Sequence, residues 1–412
     1  MEMQSSELGN PLAEEKMATL SNPLSEIAAG EDQHHEFKQS IDNPESIAGE
    51  IVAFANSEGG ILYIGIKDDG HIAGLKNPET VFQTLTNICR DRCIPPVSPV
   101  LEQYAVENKD IVVLTVLREL NRHKPYRTAG GRFYIRVGRD KKDATGRELI
   151  RIAQAAGELH YDETPVIAAS LSDFSMTAFD AYHRIQFGMT VEEHLSQSGI
   201  SIETLLRNLR LLHEPDSEQM LSVAGVLIFG NAPQYFLPQS RISAVAFAGK
   251  DEDSDILDRH EITGRLPQMI EDVRIFLKRN IRTPAIEHGF HREDIRLYDE
   301  KALGETVVNA VAHRDYSLSG SQIRVFLFSD RFEVRSPGRL PNAVTLENIK
   351  LGVHTERNRA IVTFLTHLGY MSAIGTGIPR LVIRLSRILS GREPEFEIIG
   401  EELRVRIWGR IF

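Results

Sequence analysis

The stretch AFANSEGGILYIGIKDDG, residues 53–70, decides how this 412-residue chain folds. Upstream, Asn43-Pro44 has the form of a helix start, a capping Asn followed by Pro at the first helical position. From there Ile47, Ile51, Phe54 and Ala55 recur at helical spacing. Gly59-Gly60 ends that helix, residues 61–66 read as a short apolar strand, and Asp68-Asp69-Gly70 reads as a turn into Ile72. Ala53, Ala55, Gly59 and Gly60 are small where a helix must lie close to a sheet.

Working outward, the pattern predicts a helix over 78–90, strands over 100–104, 111–116 and 133–137, and a helix over 147–157. Residues 160–215 read as polar and mostly helical. Beyond them come expected strands at 223–229 and 242–247, an amphipathic helix at 266–277, and closing strands at 396–399 and 403–407. Helices and strands mix without a regular βαβ beat, which predicts an α+β fold class. The domain reading is a flexible acidic extension (1–30, with a short helix over 11–20), a first domain (31–160), a helical connector (161–219) and a second domain (220–412).

The net charge of -11 speaks against a simple nucleic-acid coat protein, but it is unevenly spread. Residues 1–35 hold seven acids and one base, a net of -6, which leaves -5 for the rest. Residues 118–142 hold nine bases and two acids, a local +7. Tyr126, Phe133 and Tyr134 are interleaved there, and Gly130-Gly131 suits a hairpin tip. Phosphate contact is therefore expected from Arg122, Lys124, Arg127, Arg132, Arg136, Arg139 and Lys141. An acidic N-terminal tail folding over this hairpin would compete with nucleic acid. Two cysteines, Cys89 and Cys93, exclude a disulfide framework and a Cys-rich zinc site, and read as buried thiols. His34-His35 reads as surface. With no apolar run long enough for a membrane span and no signal peptide, the expected setting is cytoplasmic.

EFK at 36–38, the 53–70 stretch, Gly74-Leu75 and FYIRVGRDKKDAT at 133–145 together resemble the Schlafen-type, AlbA-like nucleic-acid-binding domain. Some members of that family are ribonucleases that hold a divalent metal on three carboxylates. The resemblance places Glu31, Glu36 and either Asp68 or Asp69 at those positions, as catalytic residues and as ligands to Mg²⁺ or Mn²⁺. It also implies pairing of domains, hence a homo-oligomer.

A second motif set follows: Glu305, Asn309-Ala310 and HRDY at 313–316, then FLFSDRFEVRSPGRLP at 326–341, ERNRAI at 356–361 and GTGI at 375–378. It resembles the C-terminal domain of RecG-like regulators, a divergent relative of the GHKL ATPases. The resemblance implies a divergent GHKL (Bergerat-like) α/β sandwich over 220–412. Glu305 and Asn309, at i and i+4, share a helix face. In that reading Glu305 polarises water, Asn309 ligates Mg²⁺ beside ATP, Gly375 and Gly377 bring backbone amides to phosphates, and Asp330 and Gly338 stand with them among the cofactor-binding residues. The Asp that GHKL proteins place in the first glycine motif is replaced by Ser336-Pro337-Gly338, with Asp330 six residues earlier. Arg314 and Asp315 read as an internal salt bridge beside a hydrogen-bonded His313, or else as a polar cluster at a pocket. No Walker A pattern occurs, so no helicase motor is expected. The expected function is a nucleic-acid-binding protein, a DNA-binding transcriptional regulator with a C-terminal ATP-binding-like sensing or oligomerisation domain. The alternative is a metal-dependent endonuclease acting in phage defence.

Overall fold

The computed structural model describes residues 23–117, 123–214, 218–288, 291–341, 344–353, 355–372 and 376–410. The chain divides into two compact units, Met1–Ala156 and Gly157–Phe412, and both mix helices with sheet.

The first unit is built on a four-stranded sheet in the order β1-β2-β5-β4. β1 (His35–Lys38) runs parallel to β2 (Gly60–Ile64), and β5 (Lys109–Val116) pairs antiparallel with both β2 and β4 (Val100–Val106). Both faces are buried, which accounts for the dense apolar runs in β2 and β5. Leu62, Ile64, Val112, Leu114 and Val116 pack under the Pro44–Asn56 and Pro78–Asn87 helices. Phe37, Tyr63, Ile66, Ile111 and Val113 pack on the other side with Ile27. Ile27 belongs to a helix, Pro23–Ala29, so the end of the segment expected to be flexible is ordered here, by an apolar contact and by the hydrogen bond from Tyr63 to Glu26. The expected 11–20 helix lies outside the described residues.

The capping expectation at Asn43 holds: its Oδ1 accepts from the amides of Glu45 and Ser46 at 3.0 and 3.3 Å. Gly60 must be small, because a Cβ there would overlap the Phe54 ring and lie 2.9 Å from the His34 carbonyl. The Pro78–Asn87 helix continues into a wider turn, Ile88–Arg92, before β3 (Cys93–Ile94), which pairs with β6 (Arg127–Thr128). β7 (Tyr134–Val137) and β8 (Asp140–Asp143) form the hairpin of the basic stretch. Its tip is Gly138-Arg139, with Gly138 at φ +60°, whereas Gly130-Gly131 forms a separate turn after Thr128.

The second unit carries a six-stranded sheet, ordered β12-β11-β15-β16-β18-β17. Its strands are β11 (Ile242–Phe247), β12 (Ile256–Ile262), β15 (Ile323–Leu327), β16 (Arg331–Pro337), β17 (Glu395–Ile399) and β18 (Glu402–Trp408), with only β11 and β15 parallel. Two short hairpins, β9 (Leu212–His213) with β10 (Met220–Leu221) and β13 (Ala285–His288) with β14 (His291–Asp294), complete the strands. The Leu266–Asn280 and Glu300–Ala312 helices share one core with the sheet. Phe174, Phe179, Tyr182 and Leu206 belong to that same core, so the segment read as a connector is packed into this unit. On the opposite face of β16, Glu333 is fully buried among Arg331, Arg335 and Arg406.

One expected strand is a helix. Val223–Phe229 is helical, with Ser222 Oγ accepting from the Gly225 amide at 2.9 Å and all seven residues buried. A short apolar run buried all round has neither period, so its length alone favoured a strand.

Candidate nucleic-acid interface and C-terminal cleft

The basic stretch separates into two groups of side chains. One group is buried and builds the hairpin. Arg136 is among the buried residues, its Nη1 donating to Glu36 Oε2 at 2.9 Å and Glu50 Oε2 at 3.1 Å, and its Nη2 to the carbonyls of Asp32 and Arg139 at 2.8 and 2.6 Å. Lys124 is buried with Nζ on the Ser57 carbonyl at 2.6 Å. Lys141 holds Glu50 Oε1 at 3.0 Å and the Ser46 carbonyl at 3.1 Å. Arg136 and Lys124 were expected among the phosphate contacts; the structure instead gives them to the protein interior. Tyr126, expected among the stacking aromatics, is also buried.

The second group faces outward. Arg139 at the tip, Lys142 on β8 and Arg147 in the Gly146–Ala156 helix are exposed and make no ion pair among the described residues; Arg127 is half-exposed and equally unpaired. Arg132 is exposed but pairs with Asp143 at 2.7 Å, and it lies over the Tyr134 ring. Arg122 lies outside the described residues.

The residue that ties the hairpin down is one the sequence reading passed over. Asn56 Nδ2 donates to the carbonyls of Tyr126 and Tyr134 at 2.8 and 2.9 Å, and its Oδ1 accepts from the Tyr126 amide at 2.7 Å. Ser57 Oγ accepts from the Arg136 amide at 3.0 Å. The available signals were an Asn closing an apolar helix and Glu50 inside its buried face, since a polar group in such a run implies a buried partner.

The acidic residues are dispersed in role. Glu31 Oε1 accepts from the Phe37 amide at 2.9 Å; burial raises its carboxyl above the ordinary range, with Glu36 and Asp68 adding to the rise. Asp68 is exposed, one residue ahead of the Asp69 that caps His71 at 3.0 Å. Of the His34-His35 pair, His34 is exposed and His35 Nδ1 meets Asp32 at 2.9 Å.

In the second unit Glu305 and Asn309 lie on the Glu300–Ala312 helix, with Asn309 Nδ2 donating to Glu305 Oε1 at 2.9 Å. Burial raises the Glu305 carboxyl above its ordinary range, and the Asn309 contact opposes that. Both face a cavity of about 240 Å³ of mixed lining that Gly377 also borders. A Cβ at Gly377 would overlap the Glu305 carboxylate, so this glycine serves close approach. A second cavity, of about 110 Å³, shares Asn309, His313, Ile349, Val353 and Ile378 with the first. It is lined by Val334, Leu340, Val344, Val382, Phe396 and Val405. Gly338 borders it, whereas Asp330 sits at the turn between β15 and β16, pairs with Arg331 at 3.0 Å and does not line it. Gly375 lies outside the described residues.

The HRDY and ERNR motifs cap the helix. A helix leaves its last four carbonyls without partners. Here Ser336 Oγ donates to Ala310 at 2.9 Å, Tyr316 OH to Val311 at 2.9 Å, and Asn358 Nδ2 to Ala312 at 2.9 Å. Arg357 Nη1 and Asn358 Nδ2 then serve the carbonyls of His313 and Arg314 at 3.0 and 2.7 Å. Arg314 is fully buried and donates to the backbone carbonyls of Asp315, Leu318 and Ser321 at 2.7, 3.0 and 2.6 Å. The expected Arg314–Asp315 salt bridge is replaced by these backbone contacts, because Asp315 Oδ1 instead accepts from Ser317.

A double-faced sheet with a cationic hairpin, and a helix-backed sheet with a capped cleft, define a two-module α+β protein. Residues 31–145 match the family described as "Schlafen, AlbA_2", and residues 320–407 match "Putative ATP-dependent DNA helicase recG C-terminal"; the chain carries both family segments. None of the curated proteins compared with it matches. Among solved structures, the chain is similar to the DIP2311 protein from Corynebacterium diphtheriae, with 23% identity and a TM-score of 0.47 over 92% of this chain and 76% of that one. It is also similar to the N-terminal domain of a "Putative ATP-dependent DNA Helicase RecG-related Protein" from Nitrosomonas europaea, with 26% identity and a TM-score of 0.23 over 30% of this chain and 90% of that one. No described helix is long and apolar enough to cross a membrane.

Proposed function

We propose that this protein binds nucleic acid through the β7–β8 hairpin and the helix that follows it, as a DNA-binding transcriptional regulator does. One observation carries the reading: Arg139 and Lys142 on the hairpin and Arg147 on the helix after it stand exposed with no ion pair among the described residues, while Arg136 and Lys141 tie the hairpin to buried acids. Such contacts are to phosphate, so affinity is expected to be electrostatic and only weakly dependent on sequence. Pairing of two chains would double that surface. Both family segments are named for nucleic-acid-associated proteins, which supports the same reading.

The second unit serves in this reading as a sensing or oligomerisation module. Glu305 and Asn309 would hold Mg²⁺ and order water beside a bound nucleotide, and the apolar cavity would take a flat ring. On the ring side the fit is incomplete: Ser336 is engaged by Ala310, Asp330 is elsewhere, and no carboxylate lines the apolar cavity to accept from an exocyclic amine. The proposal is therefore ligand sensing without a motor. A mobility-shift titration of single-stranded RNA, tRNA and duplex DNA against KCl tests the first part; absence of any shift at low salt would reject it. A thermal shift with ATP and Mg²⁺ tests the second, and a shift unchanged by Asn309→Ala would remove the nucleotide.

A further inference from the structure

We infer that Arg136 takes from the expected Glu31, Glu36 and Asp68 set the Glu36 carboxylate that a divalent cation would need, so that this unit grips nucleic acid without cutting it. The inference deepens the binding reading and rests on it only for the word "grips".

The carboxylates settle the matter one oxygen at a time. Glu36 Oε2 and Glu50 Oε2 both meet Arg136 Nη1, at 2.9 and 3.1 Å, while Glu36 Oε1 meets Lys38 and Glu50 Oε1 meets Lys141 at 3.0 Å. All four oxygens of the pair are thus engaged by a cationic group. The three side chains at the centre, Arg136, Glu36 and Glu50, are 1%, 10% and 7% exposed, so solvent does little to dilute the pairing. Each oxygen of Glu36 and Glu50 thus already has a cationic partner that an entering metal would have to displace.

The surroundings are shaped for a guanidinium. Nη2 reaches two backbone carbonyls, of Asp32 and Arg139, in the forked geometry that a planar donor set allows. The guanidinium also lies 4.8 Å from the centre of the Phe54 ring, an apolar neighbour that a hydrated ion would not choose. Two carboxylate and two carbonyl oxygens surround the guanidinium, so the oxygen shell that a cation could otherwise draw on is turned onto Arg136. With Glu36 so engaged, Glu31 and Asp68 are left as two of the three expected ligands. Among the described residues no group of three or more His, Cys, Asp or Glu side chains could hold a metal ion. The residues present do not fit the expected metal.

The test uses the full chain without nucleic acid first. Wild-type Tm is expected to be the same in millimolar Mn²⁺, in Mg²⁺ and in EDTA. A saturable rise with Mn²⁺ that Glu36→Gln abolishes would overturn the inference. Arg136→Met opens the oxygen shell while leaving both carboxylates, so this variant is expected to gain a Mn²⁺-dependent Tm rise of about 5 °C at saturating metal. A folded Arg136→Met protein indifferent to Mn²⁺ would equally overturn it, and the wild-type comparison decides the question if that variant does not fold. Labelled RNA, tRNA and DNA are then expected to remain intact with either metal. Metal-dependent cleavage lost in Glu36→Gln would reject the inference while leaving binding untouched, whereas loss of retardation alone would reject only the binding reading.

Discussion

The guanidinium of Arg357 occupies the space that a side chain at Gly338 would fill. Gly338 has φ +118°, and a Cβ there would overlap Arg357 Nη1 and lie 2.8 Å from Asp315 Cβ. Arg357 in turn serves the carbonyls of His313 and Arg339. Gly338→Ala should therefore displace the cap of the Glu300–Ala312 helix and add backbone strain, for a loss of about 2–4 kcal/mol. Urea denaturation reads this directly, and an unchanged midpoint would show that the glycine is not needed for the cap.

Asp162 supplies a pH dependence. It is fully buried, and its Oδ2 accepts from the Ile361 amide at 3.0 Å, in the first turn of the Arg359–His367 helix. Burial pushes its carboxyl up to about 6, with the Ile361 amide pulling the other way. An acid whose folded pKa is raised stabilises the fold below its unfolded value, near pH 4, and loses that contribution as pH rises through about 6. The loss amounts to about 3 kcal/mol. Asp162→Asn cannot ionise, so its stability relative to wild type should improve by about that amount between pH 4 and pH 7.5. Parallel pH profiles for the two proteins would disprove the burial effect.

Local patterns were legible where one period dominates. The Asn43-Pro44 start, the 61–66 strand and the Asp69-Gly70 turn follow from capping, alternation and turn chemistry within a few residues. Val223–Phe229 was misread because burial on every side erases the period. The site was less legible than the fold. Nine bases in 25 residues announce a charged surface, yet whether a given Arg faces water or a buried acid depends on partners 86 and 100 positions away, Glu50 and Glu36. The same holds for HRDY: its residues read as a salt bridge or a polar cluster, and only the fold shows the orphan carbonyls that HRDY and ERNR satisfy.

Asn56 makes three hydrogen bonds to the backbone of Tyr126 and Tyr134. Asn56→Ala leaves those groups without partners where Tyr126 is buried, at a cost of about 2–4 kcal/mol. The effect should be local. Amide exchange at Tyr126 is expected to accelerate strongly while that of Leu114, in β5, changes little. Equal acceleration at both amides would mean that the hairpin and sheet open as one unit.

The salt dependence of binding distinguishes the outward cations from the buried ones. Arg139 and Lys142 are exposed and make no ion pair among the described residues, so Arg139→Ala with Lys142→Ala should change stability by less than about 0.5 kcal/mol. If each meets one phosphate of a duplex, the slope of log Kd against log salt should fall by about 1.8. Arg136→Ala behaves differently, because it strands two buried carboxylates and should cost about 3–5 kcal/mol before any effect on binding is read. Arg132→Ala lies between: its cation is partly neutralised by Asp143, so its effect on the slope should be smaller than that of Arg139→Ala. A double variant that keeps the wild-type slope would place the phosphate contacts elsewhere on the protein, even if its affinity at one salt concentration had fallen. Slope and affinity must therefore both be measured, since only the slope counts the ions released when a cation reaches phosphate.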